Sequence, residues 1–210
     1  MHQLSNYHQK RITRASAPQT RGVVMNWGGF YDLVMWFLTL GNERTLRQRI
    51  AGLIHYQPGE KVLDVGCGTG SLALVAKEHV GDAGSVHGID PAPRQIARAR
   101  AKAARRGLSA DFRLGVIERL PFPDETFDLV QSTFAIDHVP ADLQRQGLKE
   151  IARVLKPGGR LFILITGSVQ DLAMFMKEAG FSQVETGETE YRGLGMARLY
   201  FVRGQIAAGA

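Results

Sequence analysis

The sequence predicts an α/β domain: a doubly wound, mainly parallel sheet of seven strands, covered by helices on both faces and closed by an antiparallel hairpin. Three observations carry this. Short apolar runs alternate with stretches of helical periodicity from residue 61 to residue 179. The first of those runs ends in three glycines at alternate positions, Gly66, Gly68 and Gly70. The chain has 210 residues, 44% hydrophobic and 22% charged, which is enough to bury one ordinary core. That balance excludes a disordered chain, a collagen and a disulfide-stapled mini-protein.

The elements follow in order. Residues 1–22 are polar and basic without periodicity, and are expected to be a flexible tail lying away from the ligand site. From Phe30, the residues Tyr31, Val34, Met35 and Leu38 recur at spacings of three and four, which marks a helix. Gly41 and Asn42 stop it, and Leu46, Ile50, Leu53 and Ile54 give a second helix an apolar face over 43–55. These two helices, within 23–57, are expected to form a lid over a core spanning 58–204. Strands are expected at 61–65, 85–89, 111–114, 127–131 and 160–165. Helices are expected at 71–80, 93–106, 142–155 and 169–179. Pro157, Gly158 and Gly159 read as the turn that starts the fifth strand. Extended runs at 183–186 and 196–202 are expected to pair as the hairpin, leaving 205–210 as a flexible end.

Charge and cysteine content narrow the class. Lys and Arg number 26 and Asp and Glu 20, a net charge of +6. Four of those six positive charges are Lys10, Arg11, Arg14 and Arg21, in a stretch with no acid. The tail could touch an acidic lipid surface or order over a ligand. The segment holding Arg94, Arg98, Arg100, Lys102, Arg105 and Arg106 lacks aromatics for base stacking, which argues against nucleic acid as a partner. With one cysteine, Cys67, no internal disulfide forms, and a reducing, cytoplasmic setting is expected. A signal peptide is not expected. Asn26, Asp32 and several glycines interrupt the most apolar stretch, 23–40, so a transmembrane span of ~20 apolar residues is not expected either. The histidines lack metal-ligand spacing.

The chemistry centres on Val62-Leu63-Asp64-Val65-Gly66-Cys67-Gly68-Thr69-Gly70. In a doubly wound sheet, ligands bind beyond the carboxyl ends of the strands, where glycines let backbone approach closely. The spacing is G-x-G-x-G rather than the G-x-G-x-x-G of dinucleotide sites. Asp64 would repel a pyrophosphate but suits an ammonium group. Asp90 ends the next strand, near the ~20-residue offset at which an acid takes ribose hydroxyls. A ligand with a ribose, an amine and no phosphate is implied, and S-adenosyl-L-methionine fits that description.

Further signatures follow in order: Tyr31–Asp32, Gly88–Ile89–Asp90, Leu120-Pro121-Phe122-Pro123-Asp124, Phe127-Asp128-Leu129-Val130, His138-Val139-Pro140, and Glu150–Ile151 leading to Arg153-Val154-Leu155-Lys156-Pro157-Gly158-Gly159. In this order the chain resembles the class I S-adenosylmethionine-dependent methyltransferases. It is most similar to the small-molecule group that includes the ubiquinone/menaquinone-biosynthesis type. The resemblance implies a Rossmann-like fold and a set of roles. Asp64 and the backbone of Gly66, Gly68 and Gly70 would hold the methionine end. Asp90 would take the ribose diol and Pro91 would flank the adenine. Ser132 and Phe134 would lie under the sulfonium, and Tyr31 would close over the cofactor.

The departures are specific. Where the family usually places an acid for the adenine amine, this chain has Gly115, Val116 and Ile117, so adenine contacts fall to backbone around Val116 and Ile117 and to Gln95. Asp137–His138 stands where paired histidines are frequent. His138 is a candidate general base and Asp137 a candidate partner for it or for an amine substrate; His138 also reads as a helix-flanking residue that shapes the pocket, and Asp137 as one that simply faces solvent. The long insertion after the fifth strand is missing, so substrate cover is expected from the N-terminal helices, with a second subunit as a further source in a homodimer. The expected reaction is in-line methyl transfer to a small, partly apolar acceptor, such as a quinone or phenol, an amine, a lipid or a natural product, leaving S-adenosyl-L-homocysteine. A nicotinamide-dependent oxidoreductase and a non-catalytic cofactor- or nucleic-acid-binding module are the competing readings.

Overall fold

The computed structural model describes residues 18–22, 43–189 and 198–208. The elements are α1 (Glu43–Ile54), β1 (Lys61–Val65), α2 (Ser71–Val80), β2 (Ser85–Asp90), α3 (Pro93–Arg106), β3 (Asp111–Leu114), β4 (Phe127–Thr133), α4 (Ala141–Val154), β5 (Leu155–Ile165), α5 (Gln170–Glu178), β6 (Phe181–Glu188) and β7 (Tyr200–Ile206). A single 3₁₀ turn, Ile136–His138, follows β4. The seven strands lie in the order β3-β2-β1-β4-β5-β7-β6. The first five are mutually parallel, and β7 runs antiparallel between β5 and β6. The doubly wound sheet and its terminal hairpin are therefore as expected. The first lid helix and Tyr31 lie outside the described residues.

Two apolar layers cover the sheet. On one face, Leu46, Ile50 and Ile54 of α1 pack with Leu72 and Leu74 of α2, Ile96 and Ala99 of α3, and Val62, Leu129 and Phe162 of the strands. On the other, Leu148 and Ile151 of α4 and Leu172 and Phe175 of α5 meet Leu63, Val130 and Ile163. Leu46 is fully buried, so α1 packs on the core on this face.

Three boundaries differ from the expectation for local reasons. Strand β5 starts at Leu155, directly after α4, because Pro157-Gly158-Gly159 forms an irregularity inside the strand rather than a turn before it. Pairing passes from Phe127↔Leu155 to Leu129↔Arg160, and Gly158 takes up the excess at φ +76. Strand β7 extends to Ile206, two residues beyond the expected end of the core, because Gly204, Gln205 and Ile206 continue its pairing with β5 and β6. The stretch 18–22 also has a defined place, for Arg21 pairs with Asp142 at the start of α4.

Two sequence signatures meet in space. Arg153 on α4 donates to the carbonyls of Leu120 (3.1 Å) and Phe122 (2.9 Å) and to the carboxylates of Glu150 and Asp124. Glu150 in turn accepts the Leu120 N–H at 2.9 Å. The loop between β3 and β4 is pinned by these bonds, and it forms one wall of the site.

Candidate active site

Strand β1 delivers the site. Its burial is nearly continuous, so Asp64 is carried into the interior at 1% exposure. The chain then turns through Gly66, Gly68 and Gly70, all at positive φ (+73, +53 and +76), where a side chain costs about 1–2 kcal/mol. The N–H groups of Gly66 and Cys67 both donate to the Ile89 carbonyl at 2.9 Å, which ties this turn to the end of β2. Asp90 completes the tie. Its Oδ2 accepts the Gly68 N–H at 3.0 Å and its Oδ1 the Ala92 N–H at 2.8 Å.

These turns open a crevice at the carboxyl ends of the parallel strands. Of the residues picked from sequence, Asp64, Gly66, Gly68, Asp90, Pro91, Gln95, Val116, Ile117, Ser132, Phe134 and His138 all line it. Gly70 does not; it packs beneath, where a Cβ would stand 2.8 Å from Phe112 and 2.9 Å from Ala99. Asp137 does not line the crevice either. Its Oδ1 is 4.0 Å from His138 Nε2, too long for a hydrogen bond, and its Oδ2 lies 3.5 Å from the Thr166 hydroxyl. The pair expected from sequence is therefore divided between crevice wall and loop interior.

The electrostatics favour a cationic ligand. Burial pushes the Asp64 carboxyl up to about 7; Gln131 and Arg47 oppose the shift, and the charge of Asp90 adds to it. Asp64 Oδ1 and Ser132 Oγ are buried and have no hydrogen-bond partner among the described residues. An uncompensated buried acceptor costs about 1–3 kcal/mol, which an incoming donor relieves. Burial also raises Asp90, while the N–H groups of Ala92 and Gly68 oppose that shift. Burial holds the Cys67 thiol well above its usual range, so it is a packing group rather than a nucleophile. Phe134, at the rim, sits at φ +56 with its N–H bonded to the Leu164 carbonyl, a strained conformation held by the sheet.

Among the lining residues not foreseen are Arg47, Glu118, Thr20 and Gly22. Arg47 carried a usable signal, because it lies three residues before Ile50 and seven before Ile54, on the buried stripe of α1. Glu118 was visible as the acid two residues past Val116. Nothing in the polar stretch 18–22 marks Thr20 and Gly22. They correct the expectation that the tail lies away from the ligand site. The basic helix α3 is largely occupied internally. Arg100 binds the Phe112 carbonyl, Lys102 reaches Thr69 and Ser71 at 2.9 Å each, and Arg106 pairs with Glu78.

A glycine-lined crevice with a buried acid at the end of each of two adjacent parallel strands defines a nucleoside-binding α/β protein whose ligand carries positive charge. Residues 62–159 match the family described as methyltransferase domain. The chain thus contains a stretch that matches methyltransferase domains. It is 41% identical over 134 residues to a demethylmenaquinone methyltransferase of Thermus thermophilus, covering 64% of this chain and 60% of that protein. It is 36% identical over 136 residues to a ubiquinone/menaquinone biosynthesis C-methyltransferase of Xanthomonas campestris, covering 64% and 53%. The fold is shared with a SAM-dependent methyltransferase of Aquifex aeolicus (TM-score 0.62, 22% identity, 77% of this chain and 89% of that one). The chain spans little more than half the length of the curated relatives it matches.

The residues present fit S-adenosylmethionine as cofactor: an unpartnered buried carboxylate oxygen for its ammonium, Asp90 for its diol, and a glycine turn open to its backbone. Among the described residues, no helix is long and apolar enough to cross a membrane, and no cluster of His, Cys, Asp and Glu could hold a metal ion.

Proposed function

We propose that the protein transfers the S-adenosylmethionine methyl group to a small, partly apolar acceptor. The observation that carries this is the unpartnered, buried Oδ1 of Asp64 in the crevice wall, with the Arg47 guanidinium in the same wall. Together they offer an acceptor and a donor to the two ends of an amino acid, which a nicotinamide nucleotide lacks. When bound, the cofactor supplies an electrophilic methyl that reacts by in-line displacement. The chain's residues then have simple duties. Asp64 and Arg47 hold the methionine end, and Asp90 holds the ribose. Val116 and Ile117 offer apolar surface and backbone to the base, with Gln95 beside them. Ser132 and Phe134 place the reacting end, which is catalysis by proximity and exclusion of water.

His138 sits at 44% side-chain exposure on the rim, where an acceptor would enter. In our reading it takes a proton from an acceptor that must lose one, and Asp137 supports the loop without bonding to it. The curated relatives are named for quinone biosynthesis, so quinols are the first acceptors to assay. Calorimetric titration with S-adenosylmethionine, S-adenosylhomocysteine and NAD tests the reading. The two sulfur nucleosides are expected to bind and NAD is not; tight NAD binding without sulfonium binding would overturn it.

A further inference from the structure

We propose that Tyr56 and Gln131, which do not line the crevice, form a positioning pair that sets the charge of Asp64 and so fixes the pH range in which the site accepts the cofactor's ammonium. This rests on the cofactor reading above and adds a control that the family signatures do not contain.

The geometry is a chain of three groups. Gln131 is the register partner of Asp64 across the β1–β4 pairing and is fully buried. The Tyr56 hydroxyl donates to Gln131 Oε1. A side-chain amide has one accepting and one donating end, so occupying the oxygen decides which end is left. Nε2 is left, buried and without a hydrogen-bond partner among the described residues, on the residue in register with Asp64, whose charged form the amide favours. Donation to a carboxylate favours its charged form.

The surroundings make that influence decisive. Burial of Asp64 works against its charge. Gln131 from β4 and the Arg47 guanidinium from α1 work for it, and Asp90 from β2 works against it. Cys67 in the glycine turn and Tyr56 after α1 stay neutral, since burial raises both well above their usual values. The balance leaves Asp64 near 7, so modest changes in its neighbours move its charge across neutral pH. Without the Tyr56 hydroxyl the amide is free to turn its oxygen toward Asp64, which favours the protonated carboxyl. Tyr56→Phe removes that hydroxyl alone, because the ring keeps its stack on His79 (5.5 Å between centroids).

The test compares S-adenosylhomocysteine with 5′-methylthioadenosine, which shares the nucleoside but lacks the amino-acid end. Affinities are measured by calorimetry between about pH 5.5 and 8.5 for the wild type, Tyr56→Phe and Gln131→Leu. Wild-type affinity for S-adenosylhomocysteine is expected to fall as pH drops through about 7, following the ionisation of Asp64. In Tyr56→Phe that limb is expected to move upward by about half a pH unit, or about twofold weaker binding at neutral pH and about threefold in acid, with recovery in base. Gln131→Leu is expected to move it at least as far, and 5′-methylthioadenosine is expected to show no such limb.

A limb in Tyr56→Phe that superimposes on the wild type overturns the proposal. So does an equal loss for both ligands at every pH, which marks a merely structural effect. If neither nucleoside binds the wild type, it is the cofactor reading that fails. The positioning pair then stands or falls on the Asp64 carboxyl titration followed by ¹³C NMR, whose midpoint must rise in Tyr56→Phe.

Discussion

Asp90 Oδ2 accepts the backbone N–H of Gly68 at 3.0 Å, so the acid that ends β2 holds the shape of the glycine turn that ends β1. The sequence marks Asp90 as a ribose ligand. The structure makes it a clamp between two turns, with its second oxygen on the Ala92 N–H. Each carboxylate oxygen retains a further acceptor position, so the clamp and a diol ligand are compatible.

Asp90→Ala is therefore expected to act on both binding and stability. Loss of the diol acceptor should weaken S-adenosylhomocysteine at least about tenfold, and loss of two charge-assisted bonds should cost about 2–3 kcal/mol of stability. Calorimetry reads the first and urea denaturation the second. An unchanged affinity would mean that the ribose is held elsewhere.

The glycines should separate by what surrounds them. Gly66 and Gly68 share positive φ, but a Cβ on Gly66 would stand 2.3 Å from Ala135 Cβ, whereas on Gly68 it would meet nothing within 4 Å. Gly68→Ala is expected to cost about 1–2 kcal/mol from backbone strain alone. Gly66→Ala is expected to cost about 1–3 kcal/mol more, since Ala135 must shift. Equal losses in denaturant unfolding would show that the loop after Phe134 yields freely.

Asp64 should make the fold less stable as pH rises. Its folded value, about 7, lies above its ordinary 3.8, so between these limits the folded state binds more protons than the unfolded state. Stability from this group is therefore greatest in acid and is lost as pH climbs toward neutrality. Asp64→Asn is expected to flatten that part of the pH–stability curve and to be at least as stable as the wild type near pH 8. Its binding of S-adenosylhomocysteine should be weaker by about tenfold or more. Thermal unfolding across the pH range checks the sign; a variant less stable than the wild type in base would contradict it.

The legible parts of this protein were those with local signals. The apolar run from Val62 to Val65, the glycine turn after it and the acid ending β2 are read from neighbours in the chain, and all of them meet in the crevice. The irregularity at Gly158 was half legible. The turn residues were correct, but only the neighbouring strand β4 shows that they interrupt a strand instead of starting one. Arg47, Thr20 and Gly22 reach the site from 14 or more residues before β1, and no local pattern sets where those stretches dock.

By itself, then, the sequence determined the alternation of strand and helix, the positions where backbone must turn with positive φ, and the residue types presented at the strand ends. These follow from steric and hydrophobic preferences that act over a few residues. Tertiary structure alone decided that Asp64 loses its water, that Asp90 clamps Gly68, and that a tyrosine 75 residues from Gln131 holds the amide beside that acid. Desolvation and hydrogen-bond pairing depend on groups brought together from distant parts of the chain, and they set the charge on which the site depends.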